Sequence, residues 1–471
     1  MLSTTLQCLA IVCTSLSAGG IFVFPLLVSA FIEHLGLTQS QLSTIALAGM
    51  AGQYPFSSLV GILSDRCGPR FCSLLAALMF FAAFGLSALE ISSAPEHSER
   101  SNTAVSQRLT VYFAMAGLAT VLSYFSFVFS ATKTFTRYFT LASGLTMSLF
   151  GLSPLFLSYL GSNFFSDPTT GTLDVTRFLQ FLAAFAGVAH LFGACALTVP
   201  STPATTSPSD TTDIPDERSR LIEREISSEC TTGTDPRDKS TLELLRDLNF
   251  WILALYMVMI LGACEMIMSN VGTIVLSLPS ELVQTVAIKD DQSAAFQVKI
   301  LSIANTVSRL LIGPFADFAS PVFSYEHLQG FTTVRKHHIS RIVFLSGASS
   351  LLALTCSWMA FGAQTRHDVW LLSVGTGITY GSVFTVLPGV SCSIWGMQNL
   401  ARNFGILTYS PFVGTTLYSY LYALIVERHS PKGTACQGRI CWESTFIFCL
   451  GTSLAALAMS AILWRNWSGR T

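Results

Sequence analysis

The sequence predicts an all-α membrane protein with 12 transmembrane helices in two six-helix bundles. Only 11% of its 471 residues are charged and 51% are hydrophobic, whereas about 25% of the residues of a soluble domain are charged. Twelve apolar segments are each long enough to cross a bilayer as a helix, which takes about 20 residues. A charged decapeptide between two of these segments has a partial copy in the second half of the chain.

The predicted spans fall into two sets of six, numbered here from 1 to 12. Spans 1 to 6 cover residues 6–32, 41–63, 71–91, 109–130, 139–160 and 178–199. Spans 7 to 12 cover residues 250–278, 294–318, 341–361, 369–393, 404–426 and 445–464. Residues 200–247 are rich in Pro, Ser, Thr and mixed charges, a composition typical of disorder. We therefore predict an N-terminal bundle at 1–199, a disordered central loop at 200–247 and a C-terminal bundle at 248–471, with a short interfacial helix at 242–248.

Lys and Arg residues indicate the orientation of the chain in the membrane. With both termini in the cytoplasm, 16 of the 26 cations lie on the cytoplasmic side and 9 on the opposite side, while Arg309 lies inside a span. Cytoplasmic loops carry an excess of such cations, so we predict cytoplasmic termini. No basic residue precedes the first apolar segment, which is also too long for a signal-peptide core. We expect it to be retained as a helix.

Composition also argues against several other classes of protein. The net charge of −1 does not favour a nucleic-acid partner. The 12 Cys residues form no CxxC pair and no Cys/His cluster with zinc spacing. No nucleophile–base pair is visible. We therefore expect neither an enzyme, nor a cofactor, nor a metal site, and we expect a monomer surrounded by lipid.

The decapeptide joins spans 2 and 3 and carries five residues with distinct roles. Gly61 allows neighbouring helices to approach closely. Asp65 can accept hydrogen bonds from the N-terminus of a facing helix or from an Arg. Gly68 makes the turn, and Arg66 and Arg70 lie at the lipid headgroups. We predict a latch that holds the two bundles in one orientation; the alternative is an ordinary loop that only obeys the positive-inside rule.

The spacing G-x-x-x-D-R-x-G-x-R resembles the signature of the major facilitator superfamily between helices 2 and 3. The layout of two sets of six spans around a long loop fits the same family. This resemblance implies the major facilitator fold and a transporter that works by alternating access. The partial copy contains Gly313 and Asp317, but Phe318 follows Asp317, and the basic residues are displaced to 335–341. We expect this second latch to be looser than the first.

A closer resemblance comes from spans 7, 10 and 11. Span 7 contains Gly262, Glu265 and Asn270. A motif in span 10 starts at Tyr380, and Arg402 lies just before span 11. These segments are similar to the fungal monocarboxylate-transporter-like proteins, a branch related to plant nodulin-like transporters. The resemblance implies a small organic anion, such as a monocarboxylate, as substrate, driven by a proton gradient or by the gradient of the substrate itself.

Arg309 and Glu265 lie deep inside predicted spans, well away from the span ends, where a charge is costly and usually functional. Arg309 could bind a carboxylate substrate through its guanidinium fork; alternatively, it snorkels to the headgroups or joins the latch. Monocarboxylate porters pair such an Arg with an Asp four residues earlier, where this chain has Asn305. Glu265 is the substitute proton carrier, or else a neutral, hydrogen-bonded Glu. Asn270, Asn305 and Tyr380 are predicted to line a cavity with Arg309.

The depths of Arg309 and Glu265 differ by around 10 Å at 1.5 Å per helical residue. A direct ion pair between them would require a helix break near Gly262. Monocarboxylate porters also carry a Lys in span 1, and this chain has no charge there.

Two further motifs lie in predicted loops. Glu217, Leu221 and Ile222 resemble a dileucine signal, which coat adaptors read when sorting proteins to vacuoles; the alternative is a solvated run of charges. The motif favours the vacuolar membrane over the plasma membrane. Cys436 and Cys441 lie in a loop on the non-cytoplasmic side, which can be oxidising, and are predicted to form a disulfide.

The sequence thus predicts a secondary active transporter of a small organic anion. Two alternatives remain open at this point. The protein could be a non-transporting membrane sensor that signals through the central loop. It could also carry a neutral or cationic solute, with Glu265 as the substrate ligand.

Overall fold

A computed structural model describes residues 2–24, 26, 27, 31, 35, 37, 39–93, 103–165, 173–198, 240–279, 288–320, 339–429 and 436–467. Ten segments within this part of the chain are long and apolar enough to cross a membrane. One of them, Thr44–Ser93, contains two spans, because Gly68 adopts φ 83° and interrupts the helix. The helix Tyr409–His429, with 21 residues, supplies the remaining span, number 11, and brings the total to 12. The prediction of 12 transmembrane helices is confirmed.

The observed helices cover most of each predicted span. Span 1 is formed by Leu2–Ser17 with a 3-10 extension, Ala18–Val23. The helices Gln39–Gln53 and Ser57–Ser93 together form spans 2 and 3. Spans 4, 5 and 6 are Thr103–Thr134, Phe139–Phe164 and Val175–Ala196. Spans 7 to 12 are formed by Leu248–Ser277, Ile288–Ala319, Ile342–Phe361, Trp370–Trp395, Leu400–Leu407 with Tyr409–His429, and Glu443–Asn466.

A short helix, Thr241–Arg246, precedes span 7 close to the predicted position 242–248. Its first turn is closed by a capping box, in which Ser240 and Glu243 satisfy each other's backbone N–H groups. Most of the central loop, including Glu217, Leu221 and Ile222, lies outside the described residues.

Large apolar side chains point away from the helix bundle along many of the spans. Leu78, Phe81, Val188 and Leu354 are all exposed at the protein surface. Such a surface would be unstable in water, but it matches the hydrocarbon that surrounds a membrane protein. Burial against other helices therefore involves only part of each span.

Within each half of the chain, the spans pack closely against one another. Span 3 contacts spans 4 and 6, span 8 contacts span 10, and span 9 contacts span 12. Between the halves, span 5 packs against spans 8 and 10, and the first helix of span 11 packs against span 2. Because the number of spans is even, span 1 begins and span 12 ends on the same side of the membrane, here called the terminus side; the opposite side is the far side.

Glycines set how closely several helices approach. A Cβ atom on Gly61 would overlap the carbonyl oxygen of Ala401 and lie 2.9 Å from the Cα atom of Arg402, so span 2 contacts span 11 backbone to backbone. A Cβ atom on Gly262 would lie 2.6 Å from the Cα atom of Gly414, where spans 7 and 11 cross. Span 7 runs as one helix through Gly262. This glycine therefore serves close packing, and the helix break considered from the sequence is not observed.

Candidate functional site

A buried carboxyl group lies in the middle of span 7, at the contact between the two halves. Glu265 is 7% exposed. It accepts hydrogen bonds from the hydroxyls of Tyr54 at 2.8 Å and Tyr380 at 3.1 Å, and from that of Thr415. Within the described part of the chain, no Lys or Arg forms an ion pair with Glu265. The Glu265 carboxyl group is thus held by three hydroxyl groups, from spans 2, 10 and 11, and not by a cation of the described residues.

Tyr54 reaches Glu265 from a break in span 2. The helix stops at Gln53 and resumes at Ser57, around Pro55, which has no N–H to donate. The carbonyl oxygen of Pro55 accepts a 2.6 Å hydrogen bond from the Tyr409 hydroxyl on span 11. Our sequence reasoning missed Tyr54 and Thr415. A Tyr-Pro pair inside an apolar segment is the signal that could have identified the first of them.

The guanidinium of Arg309 is held inside the protein. Arg309 is 5% exposed. Its Nε donates to the side-chain oxygen of Asn305 at 2.9 Å, and its Nη1 donates to the carbonyl of Met147 on span 5 at 3.4 Å. Its Cζ atom also lies 5.7 Å from the ring centres of both Tyr380 and Phe384, within cation–π range. No carboxylate pairs with Arg309 among the residues that the structure describes.

Tyr380 connects the two buried charges. Its hydroxyl donates to Glu265 while its ring contacts the guanidinium of Arg309. The structure therefore brings Arg309, Asn305, Tyr380 and Glu265 together. It does not bring Asn270 into the same set of hydrogen bonds, because the side-chain amide of Asn270 donates to the carbonyl of Met266 in its own helix, at 2.8 Å.

The first latch ties span 2 to the start of span 11. Asp65 accepts a 3.0 Å hydrogen bond from the ammonium of Lys133 and a 2.9 Å bond from the backbone N–H of Arg402. Arg402 lies in the first turn of Leu400–Leu407, where free N–H groups and the helix dipole favour a carboxylate. Arg70 donates to the carbonyl of Leu197, at the end of span 6, and Arg66 is exposed.

The second latch ties span 8 to the start of span 5. Asp317 accepts hydrogen bonds from the backbone N–H groups of Thr140 at 3.0 Å and Leu141 at 2.7 Å. It also pairs with Arg341 at 3.3 Å. A Cβ atom on Gly313 would lie 2.9 Å from the carbonyl oxygen of Thr140. Because glycine has no Cβ atom, spans 8 and 5 can approach closely here.

The contacts of the second latch differ from the looser arrangement expected from the sequence. Arg341, one of the displaced basic residues, is fully buried and forms an ion pair with Asp317, although 24 residues separate the two in the chain. Asp317 is thereby bonded to two N–H groups and one guanidinium. In each latch an Asp from one half caps the N-terminus of a helix from the other half. Both sets of contacts join the two halves on the terminus side.

Cys436 and Cys441 are joined by a disulfide on the far side, with a sequence separation of 5. The backbone N–H of Gly438 donates to the carbonyl of Ser277 at 2.7 Å, and the indole of Trp442 donates to the Ser277 hydroxyl at 2.9 Å. The disulfide loop thus holds the far-side end of span 7. Among the described residues, no group of three or more His, Cys, Asp or Glu side chains could hold a metal ion.

Fold and site together define a multi-pass helical membrane protein whose two halves meet around buried charges and are joined by hydrogen bonds on one side. The sequence matches the family model for the Major Facilitator Superfamily over residues 9–325. The chain belongs to this superfamily, and it is therefore a membrane transporter of small molecules rather than an enzyme.

Several curated fungal proteins are similar to this chain over nearly its whole length. "Probable transporter MCH1" of Gibberella zeae is 29% identical, over 97% of this chain and 88% of the relative. The protein of the same name from Saccharomyces cerevisiae is 25% identical, over 96% of this chain and 91% of the relative. The predicted resemblance to the fungal monocarboxylate-transporter-like branch is confirmed.

A solved structure of the same superfamily supports the fold. The proton:xylose symporter XylE, bound to 6-bromo-6-deoxy-D-glucose, aligns with a TM-score of 0.63. The alignment covers 98% of this chain and 95% of XylE, with 12% sequence identity. At this identity the likeness concerns the fold alone.

Proposed function

We propose that the protein is a proton-coupled secondary transporter of a small organic anion, such as a monocarboxylate. The observation that carries this proposal is the pair of buried charges, Glu265 and Arg309, where the two halves meet. Neither charge has an ion-pair partner within the described residues. A charge at bilayer depth is expensive, and proteins retain such groups where they bind substrates or move protons.

In this proposal, Arg309 is the group that binds the substrate anion. The two hydrogen bonds to Asn305 and Met147 use two of its five N–H donors, so donors remain for a carboxylate. A guanidinium binds a carboxylate through two parallel hydrogen bonds, which fixes orientation as well as charge. Asn305 holds the guanidinium in place, Tyr380 covers its face, and Asn270 lines the pathway towards the far side.

Glu265 is proposed to carry the proton. As a carboxylate it accepts from Tyr54, Tyr380 and Thr415 together. A protonated carboxyl group donates one hydrogen bond itself, so at least one of its three hydroxyl partners must accept instead of donate, and the bonds to the others weaken. Because Tyr54 belongs to the first half and Glu265 to the second, protonation alters a bond that joins the halves.

The two latches stabilise the state that is closed on the terminus side. Transport then requires both to open, so that the two bundles, 1–199 and 248–471, rock about the central site. Asp65 with Gly61, Arg66, Gly68 and Arg70, together with Gly313 and Asp317, form the conformational latches of this mechanism.

The proposed location is the vacuolar membrane, with both termini and the central loop in the cytoplasm. The excess of Lys and Arg on that side supports the orientation. The dileucine-like motif, formed by Glu217, Leu221 and Ile222, supports vacuolar sorting through coat adaptors. A fluorescent fusion of the full chain checks this: the Leu221→Ala/Ile222→Ala variant should leave the vacuolar membrane, and unchanged sorting would remove the role of this motif.

Uptake into proteoliposomes tests the function. The purified full chain is offered labelled carboxylates, sugars, amino acids and amines, with and without a pH gradient. We expect carboxylate uptake that the gradient accelerates. Uptake of sugars or amines instead would contradict the anion proposal, and amines would favour Glu265 as the substrate ligand. No flux of any solute would favour the membrane sensor.

A further inference from the structure

The hydroxyl group of Tyr124, on span 4, is a buried donor that the proposed function has not yet used. Its oxygen is inaccessible to solvent, and it has no hydrogen-bond partner among the described residues. Buried hydroxyl groups in proteins are nearly always hydrogen-bonded, because an unmet bond is costly. A buried donor without a partner needs an explanation, and a ligand that supplies the acceptor is one.

Tyr124 is connected to the surroundings of Arg309 through span 5. Phe150, whose ring contacts that of Tyr124, lies on span 5 about one helical turn after Met147, whose carbonyl accepts a hydrogen bond from Arg309. The ring of Tyr124 packs on that of Phe150, with centres 5.6 Å apart, and on that of Phe404, at 6.2 Å. The residue as a whole is half-buried, whereas its hydroxyl oxygen is fully covered.

Tyr124 and Arg309 also come from opposite halves of the chain. Tyr124 belongs to the first half of the chain, and Arg309 belongs to the second. Each offers N–H or O–H donors without an accepting carboxylate among the described residues. A carboxylate has two oxygens and about four lone-pair sites, so one group can accept from both residues.

We propose that Tyr124 and Arg309 form a two-sided carboxylate site, in which the substrate accepts from a hydroxyl of the first half and a guanidinium of the second. This inference rests on the proposed function and deepens it. The aromatic rings of Phe150, beside Tyr124, and Phe384, beside Arg309, surround the donors with apolar surface. The substrate class that fits is a monocarboxylate with an apolar or aromatic body, and its binding draws the two halves together.

Ligand binding to the purified full chain in detergent tests the site, with benzoate as the probe and benzamide as its uncharged counterpart. The variant Tyr124→Phe removes one oxygen and keeps the ring. Tyr112→Phe, on the same span, is the matched control. We expect Tyr124→Phe to raise the Kd for benzoate by about tenfold to a hundredfold, because a hydrogen bond to a charged acceptor is lost. Binding of benzamide should change much less.

Thermal unfolding without ligand separates this role from a structural one. Because the hydroxyl has no partner among the residues that the structure describes, Tyr124→Phe should leave the melting temperature unchanged or raise it. A lower melting temperature with unchanged benzoate affinity would overturn the inference and make Tyr124 a packing residue.

The two proposals can fail separately. If Arg309→Gln loses benzoate binding and Tyr124→Phe keeps it, the two-sided site is wrong and the proposed function stands. If the wild-type chain neither binds benzoate nor transports any labelled carboxylate, both are wrong.

Discussion

The hydroxyl of Tyr54 on span 2 donates a 2.8 Å hydrogen bond to the carboxyl group of Glu265 on span 7. The two residues are 211 positions apart in the chain. The bond crosses the contact between the two halves at bilayer depth. Its strength depends on the protonation of Glu265, since a carboxylate accepts from a phenol more strongly than a neutral carboxyl group does.

Replacing Glu265 by Gln should remove the response of transport to pH. An amide of similar shape can still accept from Tyr54, but it cannot take up or release a proton. Carboxylate uptake into proteoliposomes should then be equal with and without a pH gradient. The control is Glu90→Gln, which removes a carboxylate from a pair with Arg108 on the protein surface. If both variants keep the wild-type response, Glu265 is not the proton carrier.

Replacing Arg309 by Gln should reduce carboxylate uptake by at least about tenfold, because charge-assisted hydrogen bonds to the substrate are lost. Arg309→Lys should recover little of this activity, since a single ammonium cannot reproduce the guanidinium fork. Arg177→Gln, at an exposed site, is the control. Initial rates at several substrate concentrations provide the measurement. Wild-type uptake by Arg309→Gln would mean that the substrate anion binds elsewhere.

Removing the carboxylate of Asp317 should destabilise the protein more than removing that of Asp65. In Asp317→Ala the guanidinium of Arg341 stays buried and loses its ion pair, which costs about 3–5 kcal/mol. In Asp65→Ala the partner Lys133 retains some access to solvent, so the expected cost is smaller, about 1–2 kcal/mol. Thermal unfolding of both variants in the same detergent gives the order. The reverse order would restore the looser second latch predicted from the sequence.

Adding one methyl group at Gly61 should impair closure of the terminus side. The new Cβ atom would overlap the carbonyl oxygen of Ala401, and such overpacking costs about 1–3 kcal/mol. We expect Gly61→Ala to slow uptake by about tenfold. Gly347→Ala is the control, since its Cβ atom would have no described atom within 4 Å. Equal uptake by the two variants would show that close contact at Gly61 does not limit transport.

Loss of the disulfide should loosen the far-side end of span 7. By the chain-entropy estimate, closing so short a loop stabilises the folded state by about 2 kcal/mol. Cys436→Ser should therefore lower the melting temperature by a few degrees, and a reducing agent should do the same to the wild type. Cys195→Ser, which removes an exposed free thiol, should have no effect. A melting temperature unaffected by reduction would show that the loop is held without the disulfide.

Much of the fold follows from the sequence. A helix satisfies its own backbone hydrogen bonds and can therefore cross the hydrocarbon as a single segment, so the lengths of apolar segments predict the number and order of the spans. The decapeptide from Gly61 to Arg70 identifies the superfamily, since its charges and turn residues are adjacent in the chain. Charged residues are rare inside apolar segments, and this rarity alone marks Arg309 and Glu265 as functional candidates.

Other relationships depend on the tertiary structure alone. Asp65 reaches Arg402 across 337 residues, and Tyr54 reaches Glu265 across 211. Hydropathy predicts that a helix crosses the bilayer, but it does not fix the rotation of that helix or its neighbours. The rotation of each helix and the choice of its neighbours are decided by packing, for example where Gly262 meets Gly414. This is why the sequence pointed to two buried charges, whereas only the packed helices revealed the hydroxyls of Tyr54 and Thr415 beside Glu265.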